Sequence, residues 1–311
     1  MAYPDSLGHF LRVIGPDTVT AGVSTTLSSS TTIGATSIST AASIPAGSKI
    51  QIDTGTTLEY AITGTPSGAG PYTIPIATPA TGLTLAHNSA VAVVAASSHS
   101  FKQNPTAAKA TYSISVYDTT ATLGYTSAAL SDLGIKVDSK GALLLTTKWT
   151  TMPGATQSTL TPTFTQLAPL LGWQWSMVNA GATSTRGISY DVTIKRTVEA
   201  IHAADGLQSP REIFQGALEV SGSYKAIFEN QTDLNLYLNY TQTPTVATFT
   251  QPITAGGSTF AIAMSKSGWV KGTRELSSAY VQASFSLEGV YNATDGGAVA
   301  ATFTNFQSTA Y

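Results

Sequence analysis

The stretch SYDVTIKRTVEAIHAADGLQSPREIFQGALEVSGSYKAIFE, from Ser189 to Glu229, decides the fold. It opens on a strict alternation, with Tyr190, Val192 and Ile194 on one face and Asp191, Thr193 and Lys195 on the other. A second alternation starts at Ala217 and runs through Leu218, Val220, Gly222, Tyr224, Ala226 and Phe228. A period of two with one apolar face is the pattern of a half-buried strand. Between the runs lie the breakers Asp205-Gly206 and Ser209-Pro210, which predict a loop from Thr197 to Gly216. Pro210 with Arg211 and Glu212 satisfies the rules for one helical turn inside that loop. A connection of this length is too long for a tight turn, so it is expected to serve a contact, with Ile213 and Phe214 as apolar anchors.

The rest of the chain repeats this strand-and-turn rhythm. Tyr112, Ile114 and Val116 alternate in TYSISVYD. A hairpin follows, with Leu133, Ile135 and Val137 answered by Leu143, Leu145 and Thr147 across the Asp138-Ser139-Lys140-Gly141 turn. Its opposite face carries Asp132, Lys136 and Asp138. GWQWSMV reads as a strand with Trp173, Trp175 and Met177 on one face. ENQTDLNLYLNYT fits two patterns: Leu234, Leu236, Leu238 and Tyr240 alternate as in a strand, whereas Leu234, Tyr237, Leu238 and Thr241 share one side of a short helix. Asn230 or Thr232 could cap that helix, with Asp233 in its first turn, and a helix is the expectation. Three closing strands are expected in TFAIAMS, AYVQASFSLEGVY and AVAATFTNF, the last two joined as a hairpin by Ala293 to Gly297. At the other end, HFLRVI (His9 to Ile14) reads as a strand.

Composition divides the chain. From Val19 to about Ser98 charges almost vanish, leaving Lys49, Asp53 and Glu59, while Thr and Ser crowd in. Short alternating pieces around Ile38, Ile50 and Ile52, and Tyr60 and Ile62 are separated by turn residues such as Pro45-Ala46-Gly47. This predicts a small β-sandwich or barrel rather than low-complexity disorder. Three regions follow: residues 1–18 as an N-terminal arm, 19–98 as an inserted Thr/Ser-rich module that decorates the surface, and 99–311 as the main β-domain.

Across all 311 residues only 10% are charged, against a usual quarter, yet 42% are apolar and none is cysteine. No disulfide framework or thiolate site is possible. The net charge of −2 with dispersed cations lacks the basic surface that tight DNA binding requires. MAYPDSLGHF has no basic and apolar leader pattern, and no apolar run reaches membrane-spanning length, so no membrane partner is expected. No phosphate-binding loop, nucleophile elbow or metal-ligand spacing is present. His9, His87, His99 and His202 are far apart in sequence, and His202 beside Glu199 and Asp205 reads as a solvated loop residue. The expectation is a non-enzymatic protein with no cofactor, and a weakly charged β-rich surface suited to assembly.

The wording of SYDVTIKR, PREIFQGALEVSGSYKAIFEN and LGYTSAALSDLGIKVDSKGALLLTTKW resembles the tail tube (major tail) proteins of long-tailed bacteriophages, with Tyr125-Thr126-Ser127 standing where that pattern has a glycine. Likewise ATSISTAASIPAGSKIQIDTGTTLEY resembles a small β-module inserted in phage virion proteins. The resemblance implies a mainly β fold: a tail-tube-type sandwich or barrel with a short flanking helix, plus the small module. It implies a virion protein, synthesised in the host cytoplasm, forming hexameric rings stacked into a tube. Its partners would be a tape-measure protein and tail terminator and distal tail proteins. DNA would pass through the lumen without specific binding, which favours a neutral or acidic wall, with Asp132 and Asp138 as candidate lumen-facing residues. The alternative reading is a β-rich adhesin or receptor-binding virion protein, using the Thr-rich module or Trp173 and Trp175.

Overall fold

The structure, a computed structural model, describes residues 1–117, 121–158, 160–161, 165, 167–229, 231–276 and 280–311. It is mainly β, with 53% strand and 7% helix, so the strand-and-turn reading holds for most of the chain. The chain divides into two compact units. The first comprises residues 1–17, 101–248 and 261–301; the second comprises 18–100, 249–260 and 302–311. The second unit therefore takes in two later segments that composition alone did not assign to it.

The chain starts in helix α1 (Leu7–Leu11), where HFLRVI had suggested a strand. Leu7, Leu11 and Ile14 are fully buried. Their i, i+4, i+7 spacing is one helical face, a signal masked by the apolar neighbours Phe10 and Val13. Strand β1 (Asp17–Thr20) then leads into the second unit.

That unit is built on six antiparallel strands: β2 (Ser24–Thr26), β3 (Ser37–Thr40), β4 (Lys49–Ile52), β5 (Glu59–Thr63), β6 (Tyr72–Thr78) and β7 (Ala92–Ala95). Their order is β2-β7-β4-β5-β6-β3. The two outer strands meet, since Ser28 N–H donates to Ser39 O (2.8 Å) and Ala41 N–H to Thr26 O (3.2 Å). The sheet thus returns on itself as a small barrel, leaving no free edge at that seam. Its core is aliphatic: Leu27, Ile38, Ile50, Ile52, Ile74 and Val93 are among the buried residues. The aromatic ring of Tyr60 stacks on Phe306 (5.4 Å), and Lys49 Nζ donates to Gly257 O and Thr259 Oγ1. These contacts attach the two later segments.

Strand β8 (Ser97–Lys102) leads out, and the first unit resumes with β9 (Tyr112–Tyr117), β10 (Thr122–Asp138), β11 (Leu144–Thr150), β12 (Ala155–Gln157), β13 (Trp175–Asn179), β14 (Ala182–Ser184), β15 (Gly187–Ile201) and β16 (Glu212–Ile227). Helix α2 (Thr232–Leu238) follows, so of the two patterns that this stretch fits the helical one is formed. Its N-cap is Gln231, Thr232 is its first residue, and Asn230 lies outside the described residues. The chain ends with β17 (Thr243–Thr250), β18 (Thr259–Leu276), β19 (Val281–Gly289) and β20 (Ala300–Asn305). In the main sheet the neighbours run β18-β19-β16-β15-β10-β11. Because β18 lies between β19 and β20, the last two strands do not form the expected hairpin. The turn residues were present, but a loop closing on itself through Asn292 and Gly297 does not require its flanking strands to pair.

The buried face of this sheet carries the residues that alternation selected: Leu133, Ile135, Tyr190, Val192, Tyr224 and Phe285 are all at most 2% exposed. Strand β17 pairs with both β18 and β13, so the sheet curls over its own apolar face. Trp175 of β13 stacks on Tyr190 of β15 with ring centres 6.2 Å apart. Gly187 permits that approach, since a Cβ there would stand 2.6 Å from the indole. Trp173 departs from the expected strand face. It sits in a 3₁₀ turn, Gly172–Gln174, and is 66% exposed. The Gln174 side chain bends the backbone there by accepting the Leu171 N–H at 2.8 Å.

Candidate assembly surfaces

The cross-strand register places the polar positions of the main sheet in rows. Lys148, Asp132, Lys195 and Glu219 stand side by side across β11, β10, β15 and β16. The next rows bring together Thr146, Gly134, Thr193, Ser221 and Glu288, and then Lys136, Asp191, Ser223, Ser286 and Lys271. A further row holds Asp138, Ser189, Lys225, Ser284 and Thr273. None of these residues is buried. Cations and carboxylates balance on this open face, and hydroxyls fill the spaces between them. Opposite charges directly across a ladder each contribute a few tenths of a kcal/mol, to about 1 kcal/mol.

Asp132 and Asp138 both lie on that face, but not as an acidic stripe. Asp132 is flanked by two lysines, its carboxylate 3.9 Å from Lys148 Nζ. Asp138 ends the strand, and its Oδ1 accepts the Lys140 N–H at 3.0 Å, fixing the hairpin turn.

Ile213 and Phe214 are not in a loop. The ladder continues past the expected strand ends through Val198–Gln215, Glu199–Phe214, Ala200–Ile213 and Ile201–Glu212. Only residues 202–211 remain as the turn, closed by Arg211 N–H donating to Ile201 O at 2.7 Å. Arg211 consequently closes the turn and Glu212 begins β16, instead of the two forming a helical turn. Sequence reasoning stopped short because no residue of 197–201 or 212–216 is buried, so apolar alternation fades there. Beyond the pairs Asp132–Lys195 and Ser221–Glu288, the described residues of β15 and β16 pair only with each other. The result is a two-stranded arm with open backbone edges and no fully buried residue, anchored at its base by Gln215 Nε2 donating to Ala110 O at 3.2 Å. Phe214 (49% exposed), Leu207 (66%) and Ile201 (38%) project from it.

A second ribbon leaves the sheet at the far end of β10. Ser127 adopts a left-handed backbone (φ 51°) where the register shifts, and beyond it β10 pairs with β9 and β12. Val116 and Tyr117 are exposed on this ribbon.

The histidines are not brought together. His202 is exposed in the arm turn. His87, in the small barrel, is instead buried between two carboxylates that sequence reasoning did not connect to it. Its Nε2 lies 3.1 Å from Glu59 Oε2, and its Nδ1 lies 3.6 Å from Asp53 Oδ2. Glu59 also accepts Thr84 N–H (2.6 Å), Thr84 Oγ1–H (2.8 Å) and Leu85 N–H (3.2 Å). Burial pushes the Glu59 carboxyl up, but the hydrogen bonds from Thr84, His87 and Leu85 outweigh it and hold the group below its ordinary range. The Thr54 N–H and the Thr57 hydroxyl likewise hold Asp53 low. Thr84 and Thr57 donate to the carboxylates, so neither hydroxyl is poised for a base. Among the described residues no group of three or more His, Asp or Glu is placed to hold a metal ion. Nor is any helix long and apolar enough to cross a membrane.

No protein-family model matches this chain, and no curated protein matches it.

Proposed function

We propose that the protein is the repeating structural subunit of a phage tail tube, assembling in the virion as stacked hexameric rings around a lumen for DNA. The observation that carries this reading is the β15–β16 arm. A two-stranded ribbon with open edges and no buried face is marginal in water on its own, and exposed strand edges favour pairing with another chain. A second copy of the same chain satisfies both needs. If the arm of one copy docks on a different surface of the next, the contact is head-to-tail and propagates as rings or filaments.

The open face of the main sheet supports the same reading. It is broad, rich in hydroxyls and charge-balanced, which suits a wall past which DNA slides without being held. Tape-measure, terminator and distal tail proteins would be the remaining partners.

Electron microscopy of the purified protein at high concentration tests the proposal. Rings and tubes are the expected result. Trimeric spikes would favour the adhesin reading, and dispersed monomers at all concentrations would overturn assembly altogether.

A further inference from the structure

We propose that a cavity at the base of the arm binds a small oxyanion, of the polycarboxylate or phosphate class, through the guanidinium of Arg12 with support from Arg196. The cavity has a volume of about 450 Å³, within the size range of small-molecule sites and far too small for a nucleic-acid duplex. Arg12, Lys109 and Arg196 line it, and among the described residues no aspartate or glutamate does. In a chain where only 10% of residues are charged, three cations around one hollow without a carboxylate mark a strong local imbalance.

The two arginines differ in state. Arg196 is locked: Nη1 donates to Gly216 O (3.0 Å) and Nη2 to Val13 O (2.7 Å). Burial lowers its pKa, as expected for a cation lacking a counter-ion. Arg12 makes no hydrogen bond or ion pair among the described residues, and its Nε is buried without a partner. Its guanidinium sits 6.0 Å from the Tyr112 ring centre, a contact that orients the group without neutralising it.

A partly buried guanidinium is costly unless a hydrogen-bonding anion pairs with it. Its planar fork matches a carboxylate or phosphate with two parallel hydrogen bonds. Val13, Leu130 and Phe214 supply an apolar wall on the same cavity, so an anion with a short carbon body fits better than a bare ion. This inference does not depend on the tube reading, because the cavity is formed within one subunit.

The test uses the full chain, titrated calorimetrically and by thermal shift with citrate and with inorganic phosphate, against sodium chloride at matched ionic strength. Arg12→Gln should change the unliganded melting temperature by only a few degrees, since no hydrogen bond is lost and only the ring contact with Tyr112 goes. It should weaken binding at least about tenfold, the scale of one lost charge-assisted pair. Arg12→Lys should recover only part of the loss, and Lys140→Gln, on the hairpin turn outside the cavity lining, should bind as wild type does. Saturable binding of citrate alone assigns a carboxylate ligand, and saturable binding of phosphate assigns a phosphate-type one, provided that Arg12→Gln weakens it at least about tenfold. Binding of equal strength in Arg12→Gln, or none by either probe beyond the salt control, overturns the proposal.

Discussion

Replacing Glu59 by Ala tests how the small barrel is held together. The carboxylate is 6% exposed and accepts two backbone N–H groups and one hydroxyl while facing the His87 imidazole. Its removal leaves the Thr84 and Leu85 amides and the imidazole without that acceptor. Each orphaned buried donor costs about 1–3 kcal/mol, and breaking a buried ionic network by one partner costs about 3–5 kcal/mol. The loop can relax to admit water, so the network value is the better estimate than the sum. At about 1.4 kcal/mol per tenfold, hydrogen-exchange protection of the amides in 49–52 and 92–95 should fall by about two to three and a half orders of magnitude. Glu59→Gln, which keeps one acceptor oxygen, should lose about half as much in free energy. The pH dependence has a definite sign. The Glu59 value is lower in the folded state than in the unfolded one, so its stabilisation is complete above about pH 5 and is lost as pH falls through the folded value. Wild-type protection should therefore drop on acidification, while the Gln variant lacks this contribution to the change. Protection within about fivefold of wild type in Glu59→Ala at pH 7, or an unchanged acid response in Glu59→Gln, would refute the network account.

Four further outcomes are expected. Changing Ile213 and Phe214 together to Ser should leave a folded subunit, because neither side chain is buried, but should abolish tubes in electron micrographs; normal tubes would remove the arm from the contact. Changing Asp132 and Asp138 to Lys puts three lysines in a row with Lys148 and Lys195. Tubes should form but eject DNA slowly, with the defect relieved by salt. Asp233→Asn should raise the melting temperature at pH 7 and not at pH 3, because burial raises the Asp233 carboxyl, with Asn179 opposing, and its ionised form destabilises the fold as pH rises above the unfolded value. Replacing Val19–Ser98 by a Gly/Ser linker, with Phe306→Ser to remove the ring that loses its Tyr60 partner, should give tubes of unchanged ring spacing and smaller outer diameter. Loss of polymerisation by a still-folded remainder would place the module in the subunit joint.

Alternation made the main sheet legible wherever one face meets a core. Tyr190, Val192 and Ile194, or Ala283, Phe285 and Leu287, could be assigned to the interior from spacing alone, and all are buried. The same logic failed where no face is buried, which is why 197–201 and 212–216 read as loop. It also failed in α1, where helical and strand periods overlap within a few residues. The small barrel was visible as a rhythm of turns, but its attachment was not. Phe249, Phe260 and Phe303 lie far along the chain from residues 18–100 yet belong to the same unit, with Phe249 and Phe260 stacked at 5.7 Å. Nothing local announces such a partnership. Arg12 and Arg196 illustrate the same limit, since only tertiary structure shows that both line one cavity without an acid.

The scarcity of charge makes its placement informative. On a surface crowded with lysines and glutamates an uncompensated arginine is unremarkable, because solvent and nearby opposite charges screen it. Here the open face of the main sheet pairs its charges across strands: Lys148 with Asp132, Asp132 with Lys195, and Lys195 with Glu219. Neutrality on that face is thus achieved residue by residue, and sheet register maintains it. Sliding β10 against β15 by two residues would separate Asp132 from Lys195 and Lys136 from Asp191 while leaving the apolar face inward, so charge pairing favours a register that burial alone leaves degenerate. The Arg12 cavity breaks this economy within the same unit. The face is charge-balanced and the cavity is cationic, so the few charges of this chain are arranged to opposite effect at the two places.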